Sequence, residues 1–435
     1  MSHKEILTLF ENVLDELGTA LNQWLHLGHP IGHIFSVPIK TDRGWEIGPT
    51  SPQQVVPHWM EIIEVVFGRE LENFKALGEL QNKLAKFYNS EFPPPRLSFG
   101  PDLNHEIKLF LCDFLGASEL KDGFLKFPQA LKLADLYYDF LTRKSDVYYA
   151  RSPLFGVSVE QEISFSFGKI LPLGWNDRVD LLRLQSTIKF NGTFDHMHIN
   201  RILNTEALLL VSYEKMRKKS DALIFPAEIQ YLTHNAVQLL RAYDYGYIQI
   251  LWTEIYLELI SKRVCGTSYS SLENTIPLPS DIYSINDIST FKSFMNKFLK
   301  NEHFEEGELT FIFNRLNEAW LRGRTFNFRV FDYVSILEAL LVAENEGEFR
   351  FKVSVLAAAF SGKDSVNKKE LFKLVKKAYN VRSKIAHCAK AILPKEQLTP
   401  DELKTLGKIT HPIIRYAMEY GPKKLKEEAE NKLLS

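Results

Sequence analysis

Arg382 and His387 lie five residues apart near the end of the segment VNKKELFKLVKKAYNVRSKIAHC, and no other arginine in the chain has a histidine five residues later. A guanidinium donates paired hydrogen bonds to carboxylate or phosphate oxygens. An imidazole titrates near neutral pH and can take up or release a proton during a reaction. The two residue types could therefore support acid–base chemistry on a charged substrate, if the fold brings them to one place.

The segment around Arg382 has the apolar spacing of a helix with one buried face. Arg382 lies on that face, four residues after Ala378 and seven after Val375. His387 is rotated from Arg382 by about 140° because of the helical period. A guanidinium that points toward a core needs a partner, because an unpaired buried charge is strongly unfavourable.

Glu338 is the partner that the sequence offers for Arg382. In the predicted helix FNFRVFDYVSILEALLV, Glu338 follows Val334 by four residues and precedes Leu341 by three, so it lies on the apolar ridge of that helix. Neither charge would be tolerated alone on a face that packs into a bundle. We therefore expect an ion pair between Arg382 and Glu338.

Both helices belong to a C-terminal run of helical periodicity. The predicted helices lie near 291–300, 308–322, 327–343, 349–361, 367–389 and 399–420. Their number and length predict a helical bundle over residues 291–422. Residues 423–435 carry charges of both signs and are predicted to form a charged tail with a fraying, solvated helix end.

The remainder of the chain divides into two regions. Residues 1–145 are predicted to form a helical N-terminal region, with helices over 6–25, over about 71–87 before three prolines, and near 104–115 and 127–142. Residues 146–280 are predicted to form a mixed α/β region, with strands between about 147 and 190, a helix near 227–243, a strand-like run from Tyr247 to Tyr256, and a linker around Pro277 and Pro279. The expected fold class is mainly α, with this mixed region in the middle.

Three segments of the C-terminal region resemble the Apea-like branch of the HEPN superfamily, whose domains are helical bundles. RVFDYVSILEALL has Arg329, Asp332 and Glu338 where the family has an arginine, an acid and a glutamate. FRFKVSVLAAAFSG is similar to the family's third helix, which is rich in small residues, and ends at Gly362. The resemblance covers residues 308–420 and implies a HEPN bundle.

The third segment, ELFKLVKKAYNVRSKIAHC, carries the RxxxxH motif of the family as Arg382 and His387, with Ser383 directly after the arginine. The resemblance implies a ribonuclease that uses no metal and no cofactor. His387 would act as general base or acid toward the ribose 2′-hydroxyl, and Arg382 would stabilise the charge that builds on the phosphate. Ser383 would orient His387 or contact phosphate, and Glu338 would hold Arg382.

The resemblance also implies partners. HEPN sites usually form where two bundles pair, and the rotation between Arg382 and His387 agrees with that, so we expect a homodimer or an intimate complex with a partner. Four lysines near His387 could bind the RNA backbone electrostatically, namely Lys369, Lys373, Lys376 and Lys384. Such bundles occur in prokaryotic toxins and anti-phage (abortive infection) proteins, so residues 146–280 are a possible sensing domain for an unknown trigger.

The alternative is a non-catalytic HEPN module that binds RNA or protein, either alone or paired with a separate nucleotidyltransferase. Arg382 and Glu338 would then be a structural ion pair. His387 would be a helix-end histidine favoured by the helix dipole, and the lysines would be a solvated helix face.

Other chemistry has weak support in the sequence. His196 and His198 are spaced as on a strand beside Asp195 but lack a third metal ligand, and His26, His29 and His33 are separated by glycines and a proline that favour a turn. The three cysteines form no CxxC pair, which argues against disulfides and a cysteine zinc site. No P-loop, GxGxxG or GxSxG motif is present.

Composition sets only outer limits. The 53 basic and 54 acidic residues balance, so any RNA site must be a local feature rather than a property of the whole charge. The first residues mix acids among apolar positions, unlike a signal peptide, and no stretch has the apolar length of a membrane span. We expect a protein of the reducing cytoplasm that does not contact a membrane.

Overall fold

The computed structural model of the chain describes residues 3–28, 32–36, 39–41, 44–46, 53–57, 63, 74–90, 111, 119–121, 124–126, 135–136, 138–139, 143, 145–187, 201–216, 227–257, 263–269, 282–299, 307–321, 326–342, 348–387 and 392–434. Its helices are α1 (His3–His26), α2 (Lys75–Ser90), α3 (Trp175–Thr187), α4 (Ala227–Tyr243), α5 (Ile288–Phe298), α6 (Thr310–Leu321), α7 (Phe326–Leu341), α8 (Phe349–Ser361), α9 (Ser365–Ala386), α10 (Pro400–Tyr420) and α11 (Pro422–Leu434).

The strands are β1 (Gly32–Ser36), β2 (Ile39–Thr41), β3 (Gly44–Glu46), β4 (Gln53–Pro57), β5 (Glu119–Lys121), β6 (Phe124–Lys126), β7 (Ser145–Phe155), β8 (Val157–Ser158), β9 (Ile163–Phe165), β10 (Gly168–Pro172), β11 (Ala207–Met216), β12 (Gln249–Ile250), β13 (Trp252–Leu257), β14 (Arg263–Tyr269) and β15 (Tyr283–Ser284). Short 3₁₀ turns cover Gly307–Leu309 and Pro394–Glu396.

In the N-terminal region, α1 packs against α2 through its predicted apolar stripe, which includes the fully buried Phe10 and Leu17. Glu16 of α1 also binds the start of α2, because its carboxylate accepts hydrogen bonds from the backbone N–H groups of Ala76 at 2.9 Å and Leu77 at 3.4 Å. A carboxylate at this place satisfies free N–H groups and opposes the positive end of the helix dipole.

The middle region is built on an antiparallel sheet with the strand order β14-β13-β7-β11-β10-β9, in which β12 also pairs with β7. The alternation along β7 puts Tyr148, Ala150 and Ser152 on one buried face. Helix α4 packs on β7 and β11. The predicted helix near 227–243 and the strand-like run that ends near Tyr256 are therefore confirmed.

The strands predicted between 147 and 190 end at Pro172, and the sequence reading is wrong beyond that point. Residues Trp175–Thr187 form helix α3. The helix begins where the Asp177 carboxylate accepts a hydrogen bond from the backbone N–H of Gly174 at 2.8 Å. The sequence that follows, DLLRLQ, is rich in helix-forming leucine, arginine and glutamine, so no β-branched run is available to continue the sheet.

The C-terminal region is a bundle whose centre is α7. This helix packs against α6, α8, α9, α10 and α11, and both Tyr333 and Leu337 are completely buried. Helix α9 begins at an N-cap, Asp364, whose side chain accepts from Asn367 N–H. Helix α10 begins at a capping box formed by Thr399 and Glu402. The observed bounds of the six predicted bundle helices agree with the prediction to within three residues. The start signals at α9 and α10 explain where those two helices begin.

The bundle and the middle region meet at His411 of α10, which is completely buried. Its Nδ1 donates a hydrogen bond to the Ala242 carbonyl of α4 at 3.2 Å, which leaves Nε2 to accept from the Tyr333 hydroxyl at 3.4 Å. Burial lowers the pKa of His411 to about 4, so the imidazole is neutral at pH 7. Nearby, Gly407 of α10 touches the ring of Tyr245 so closely that a Cβ there would overlap it.

Residues after Tyr420 differ from the solvated tail that we expected, and that expectation is corrected. They form helix α11, which packs against α8 and α10 and buries Leu425 and Ala429. Lys432 is also held, because its ammonium group lies 4.3 Å from the centroid of the Phe360 ring. Two apolar residues spaced four apart, Leu425 and Ala429, are buried on one face of this highly charged helix.

The predicted fold class is confirmed: the chain is mainly helical, with a mixed α/β middle region and a helical C-terminal region. The N-terminal region also contains three short antiparallel pairs, β1 with β4, β2 with β3 and β5 with β6, which we did not predict. The linker at Pro277 and Pro279 and most of the helix expected near 104–115 lie outside the described residues. Among the described helices, none is long and apolar enough to cross a bilayer.

Candidate active site

The ion pair that the sequence predicts between α7 and α9 is present. Nη2 of Arg382 lies 2.7 Å from Oε2 of Glu338, and the two side chains are 24% and 19% exposed. Helices α7 and α9 pack directly against each other, which brings their apolar faces and these two charges together. The pair is partly buried, so its attraction is less screened than that of a surface pair.

Tyr379 joins this ion pair and was missed by the sequence reasoning. Its hydroxyl donates a hydrogen bond to Oε1 of Glu338 at 3.0 Å. The pKa of Tyr379 is raised, first by burial and then by the hydrogen bond and charge of Glu338, so the phenol stays protonated. Its position three residues before Arg382 puts it on the same helix face, which was the signal available in the sequence.

Aromatic rings enclose the guanidinium of Arg382. The Arg382 Cζ atom lies 5.7 Å from the ring centroids of both Phe331 and Tyr379. Phe331 also faces Arg315 of α6, whose Nη1 lies 3.2 Å from Oδ1 of the buried Asp332. The acid that the family resemblance singled out, Asp332, is therefore bound to Arg315, and the two ion pairs share one ring.

The Nε atom of Arg382 is buried and makes no hydrogen bond, within the part of the chain that the structure describes. Buried donors are almost always paired in folded proteins, and an exception calls for an explanation such as strain or a role in binding. Glu338 therefore fixes one edge of the guanidinium and leaves another donor unsatisfied.

His387 lies at the very end of α9 and is exposed. Its backbone N–H donates to the Ser383 carbonyl at 3.1 Å, so the contact between these two residues is made by the backbone. No hydrogen bond joins the imidazole or the Ser383 hydroxyl to a described side chain, and the helical period turns Arg382 and His387 about 140° apart around α9. One copy of the chain therefore holds the arginine and presents the histidine on different sides of α9.

The four predicted lysines do not behave alike. Lys369, Lys373 and Lys376 are exposed, and none of them forms an ion pair with a carboxylate in the described residues. Lys384 is different, because its ammonium group lies 2.6 Å from Oε1 of Glu396. This contact lowers the pKa of Glu396, and it offsets the charge of Lys384 inside the chain.

Asn380 of α9 and Arg350 of α8, which the sequence did not single out, extend this surface toward α8. Asn380 is exposed, and its Oδ1 accepts a hydrogen bond from Nη1 of Arg350 at 3.3 Å. Because seven residues are close to two helical turns, Asn380 lies on the same side of α9 as His387. Lys369, Lys373, Lys376, Asn380, Ser383 and His387 thus form one face, which we call the basic face.

The described residues contain no group of three or more histidine, cysteine, aspartate and glutamate side chains placed to bind a metal ion. His196, His198 and Asp195 lie outside the described residues, and so does His29. His26 ends α1 and is exposed, while Gly28 after it has a positive φ of 78°. The helix therefore ends before His29, and His33 lies in strand β1, so the three histidines do not share one helix face.

Comparison of the chain with models of protein families, with curated proteins and with solved structures found no match in any of the three.

Proposed function

We propose that the protein is a metal-independent endoribonuclease of the HEPN type. The observation that carries the proposal is the position of Arg382, which Glu338 holds at 2.7 Å near the end of the helix that presents an exposed His387. The spacing of these residues, the order of the three segments and the packing of α7 on α9 are what the resemblance leads us to expect.

In this proposal His387 removes the proton from a ribose 2′-hydroxyl. The 2′ oxygen then attacks the adjacent phosphorus, the bond from phosphorus to the 5′ oxygen breaks, and that oxygen takes up a proton. The products are a 2′,3′-cyclic phosphate and a 5′-hydroxyl. Arg382 stabilises the negative charge that builds on the phosphate oxygens, and about a quarter of its side chain is accessible for this contact.

The proposed site needs a second copy of the chain, because His387 and Arg382 point away from each other in one copy. Pairing of two bundles about a two-fold axis would bring the arginine and histidine of each copy toward those of the other. We therefore propose a homodimer. A ribonuclease without control would damage its own cell, so residues 146–280 are proposed to sense a trigger, as in a prokaryotic anti-phage or toxin effector of the cytoplasm.

A second function, a non-catalytic module that binds RNA or protein, is favoured by one specific observation. Arg382 is already engaged by Glu338 and by two aromatic rings, which is what a purely structural arginine would show. The two functions differ in the effect of replacing His387. Such a module, whether alone or paired with a separate nucleotidyltransferase, would bind RNA or protein equally well after His387 is replaced.

Cleavage of a mixed RNA pool in excess chelator tests the proposal. The wild-type protein is compared with His387→Ala and Arg382→Ala, and with Lys408→Gln, which removes an exposed charge of α10 outside the site. We expect cleavage by the wild type and the Lys408 variant and a loss of at least about 100-fold in both site variants. Equal cleavage by all four proteins would assign the activity to another site or to a contaminant.

A further inference from the structure

Phe351 of α8 exposes an aromatic ring beside the basic face. More than half of its surface, 54%, is accessible. The ring packs against Phe372 of α9 in a T-shaped arrangement, with centroids 5.8 Å apart and an interplanar angle of 72°. This contact holds the ring in place while its other side stays open to solvent, which an aromatic residue buried in a core would not show.

Cations surround this pair of rings. The Nζ atom of Lys376 lies 5.6 Å from the centroid of Phe372, and Lys373 is exposed one turn earlier on α9. Arg350, next to Phe351 on α8, donates its hydrogen bond to Asn380. None of these three cations pairs with a carboxylate in the described residues, whereas the neighbouring Lys377 is bound by Glu402 at 2.7 Å. Within the described residues these three cations therefore form no ion pairs, although the exposed acids Glu348 and Glu370 lie close to them in the chain.

The position of this cluster relative to His387 follows from the geometry of α9. Phe372, Lys376 and Asn380 precede His387 by fifteen, eleven and seven residues. At 1.5 Å per residue the cluster begins roughly 22 Å and ends roughly 10 Å from the histidine along the helix. A strand that lies along the basic face would thus contact Phe351 and Lys376 several nucleotides away from the proposed site of cleavage.

A second copy of the chain and an RNA strand are the two molecules considered as occupants of this surface, and its positive side chains favour RNA. If a second copy of the chain covered it about a two-fold axis, the same patch would meet itself and set its cations against identical cations. RNA has the complementary charge, and unpaired bases stack on exposed aromatic rings. A duplex keeps its bases stacked inside and offers no face to Phe351, so the ring favours a single strand.

We propose that Phe351 stacks on a base of single-stranded RNA while Arg350, Lys373 and Lys376 bind the phosphates, which leads the strand along α9 to His387. This inference rests on the proposed ribonuclease function and specifies its substrate as unpaired RNA. It gives Phe351 a positioning role in binding and assigns it no part in the chemical step.

Binding of a fluorescent 2′-O-methyl RNA 12-mer to the full-length protein tests this surface, because the blocked 2′ oxygen prevents cleavage during the measurement. Phe351→Ala and Phe351→Leu are expected to weaken binding by about ten-fold or more, since both remove the stacking ring. Phe351→Trp keeps a ring and should retain the wild-type affinity. Tyr231→Ala, which removes a ring of α4 that is 39% exposed, is the matched control and should have no effect.

The electrostatic part has its own readout. Replacing Lys373 and Lys376 together by glutamine should reduce the salt dependence of binding, because fewer counterions are released, whereas Lys408→Gln should leave it unchanged. Circular dichroism and thermal unfolding of each variant establish that it is folded. A duplex of the same length should bind more weakly than the single strand.

The inference is overturned if Phe351→Ala or Phe351→Leu binds as tightly as the wild type, if the duplex binds better, or if the wild type binds no RNA. Cleavage of unmodified RNA, measured in parallel, separates this result from the proposed function. Ring-dependent binding without cleavage would uphold the RNA surface and favour the non-catalytic module over the ribonuclease. Cleavage that is equally fast in the wild type and the Phe351 variants would support the ribonuclease and reject the RNA surface at Phe351.

Discussion

Glu338 of α7 holds Arg382 of α9 through a carboxylate oxygen 2.7 Å from Nη2, and it accepts the Tyr379 hydroxyl with its other oxygen at 3.0 Å. One carboxylate therefore binds two residues of the facing helix that are three positions apart. Replacing Glu338 by Ala should lower the free energy of unfolding by about 1–3 kcal/mol, less than for a fully buried pair because both side chains keep some exposure. Urea unfolding monitored by circular dichroism measures this change.

Removing both charges separates stability from catalysis. The double variant Arg382→Met with Glu338→Leu should recover most of the stability lost in Glu338→Ala, because apolar side chains of similar volume can replace a partly buried ion pair. It should still show no cleavage of RNA. Activity in this stable double variant would show that Arg382 is structural.

His411 should make the junction between α4 and the bundle sensitive to acid. Its pKa is lowered to about 4 in the folded chain from about 6.5 when unfolded, mainly by burial; the hydrogen bond to the Ala242 carbonyl and the charge of Asp244 oppose this shift, and Arg415 adds to it. The unfolded state then binds the extra proton, so stability is full above pH 6.5 and falls as the pH drops toward 4, by on the order of 3 kcal/mol. Urea unfolding at pH 7 and pH 5 should show roughly 2 kcal/mol of this loss, because pH 5 is still above the folded-state pKa.

A His411→Gln variant provides the control for that pH dependence. It should be less stable than the wild type at pH 7, where it loses the packing of the imidazole between Tyr245 and Tyr333. Its stability should change less than that of the wild type between pH 7 and pH 5. An equally steep loss in both proteins would assign the acid sensitivity to other groups.

The substitution Gly407→Ala tests how closely α10 of the bundle packs against Tyr245 of the middle region. Alanine is the better helix former by about 1 kcal/mol, so Gly407→Ala would stabilise α10 if nothing touched it. The added Cβ would overlap the Tyr245 ring, and overpacking of this kind costs about 1–3 kcal/mol. We expect a net loss of stability in thermal unfolding, and Tyr245→Ala with Gly407→Ala should show less than additive destabilisation. A higher melting temperature for Gly407→Ala alone would contradict the packing.

Mixing two inactive proteins tests the shared site. If each proposed site combines Arg382 of one copy with His387 of the other, then Arg382→Ala mixed with His387→Ala forms dimers in which one site is intact. The mixture should recover about a quarter of wild-type cleavage after subunit exchange, whereas each variant alone stays inactive. A mixture as inactive as its components would place both residues in a site within one copy.

The sequence predicted the ion pair of Arg382 and Glu338 because helical periodicity puts each charge on an apolar face, where only a partner makes it tolerable. Tyr379 was missed because an aromatic residue on such a face is usually read as core. The contact of Lys384 with Glu396 could not be foreseen, since Glu396 belongs to a 3₁₀ turn after α9 whose position depends on the tertiary fold.

The errors in the predicted fold also have identifiable causes in the sequence. The segment at 175–187 was read as strand because it follows an alternating pattern, although Asp177 and the leucines after it favour a helix. The packing of α11 was missed because most of its residues are charged and its buried face consists of little more than Leu425 and Ala429. Contacts that depend on distant residues, such as Phe351 with Phe372, have no signal in the local pattern.

The most direct test of the central claim is the chemistry of the product ends. A defined RNA oligonucleotide and the same oligonucleotide with 2′-deoxyribose at its cleavage sites are incubated in excess chelator with the wild type and with His387→Ala, and the ends are identified by mass spectrometry. We predict 2′,3′-cyclic phosphate and 5′-hydroxyl ends from the wild type alone and no cleavage of the deoxy-substituted substrate. Cleavage of the deoxy-substituted substrate, 5′-phosphate ends, or equal cleavage by His387→Ala would contradict the account.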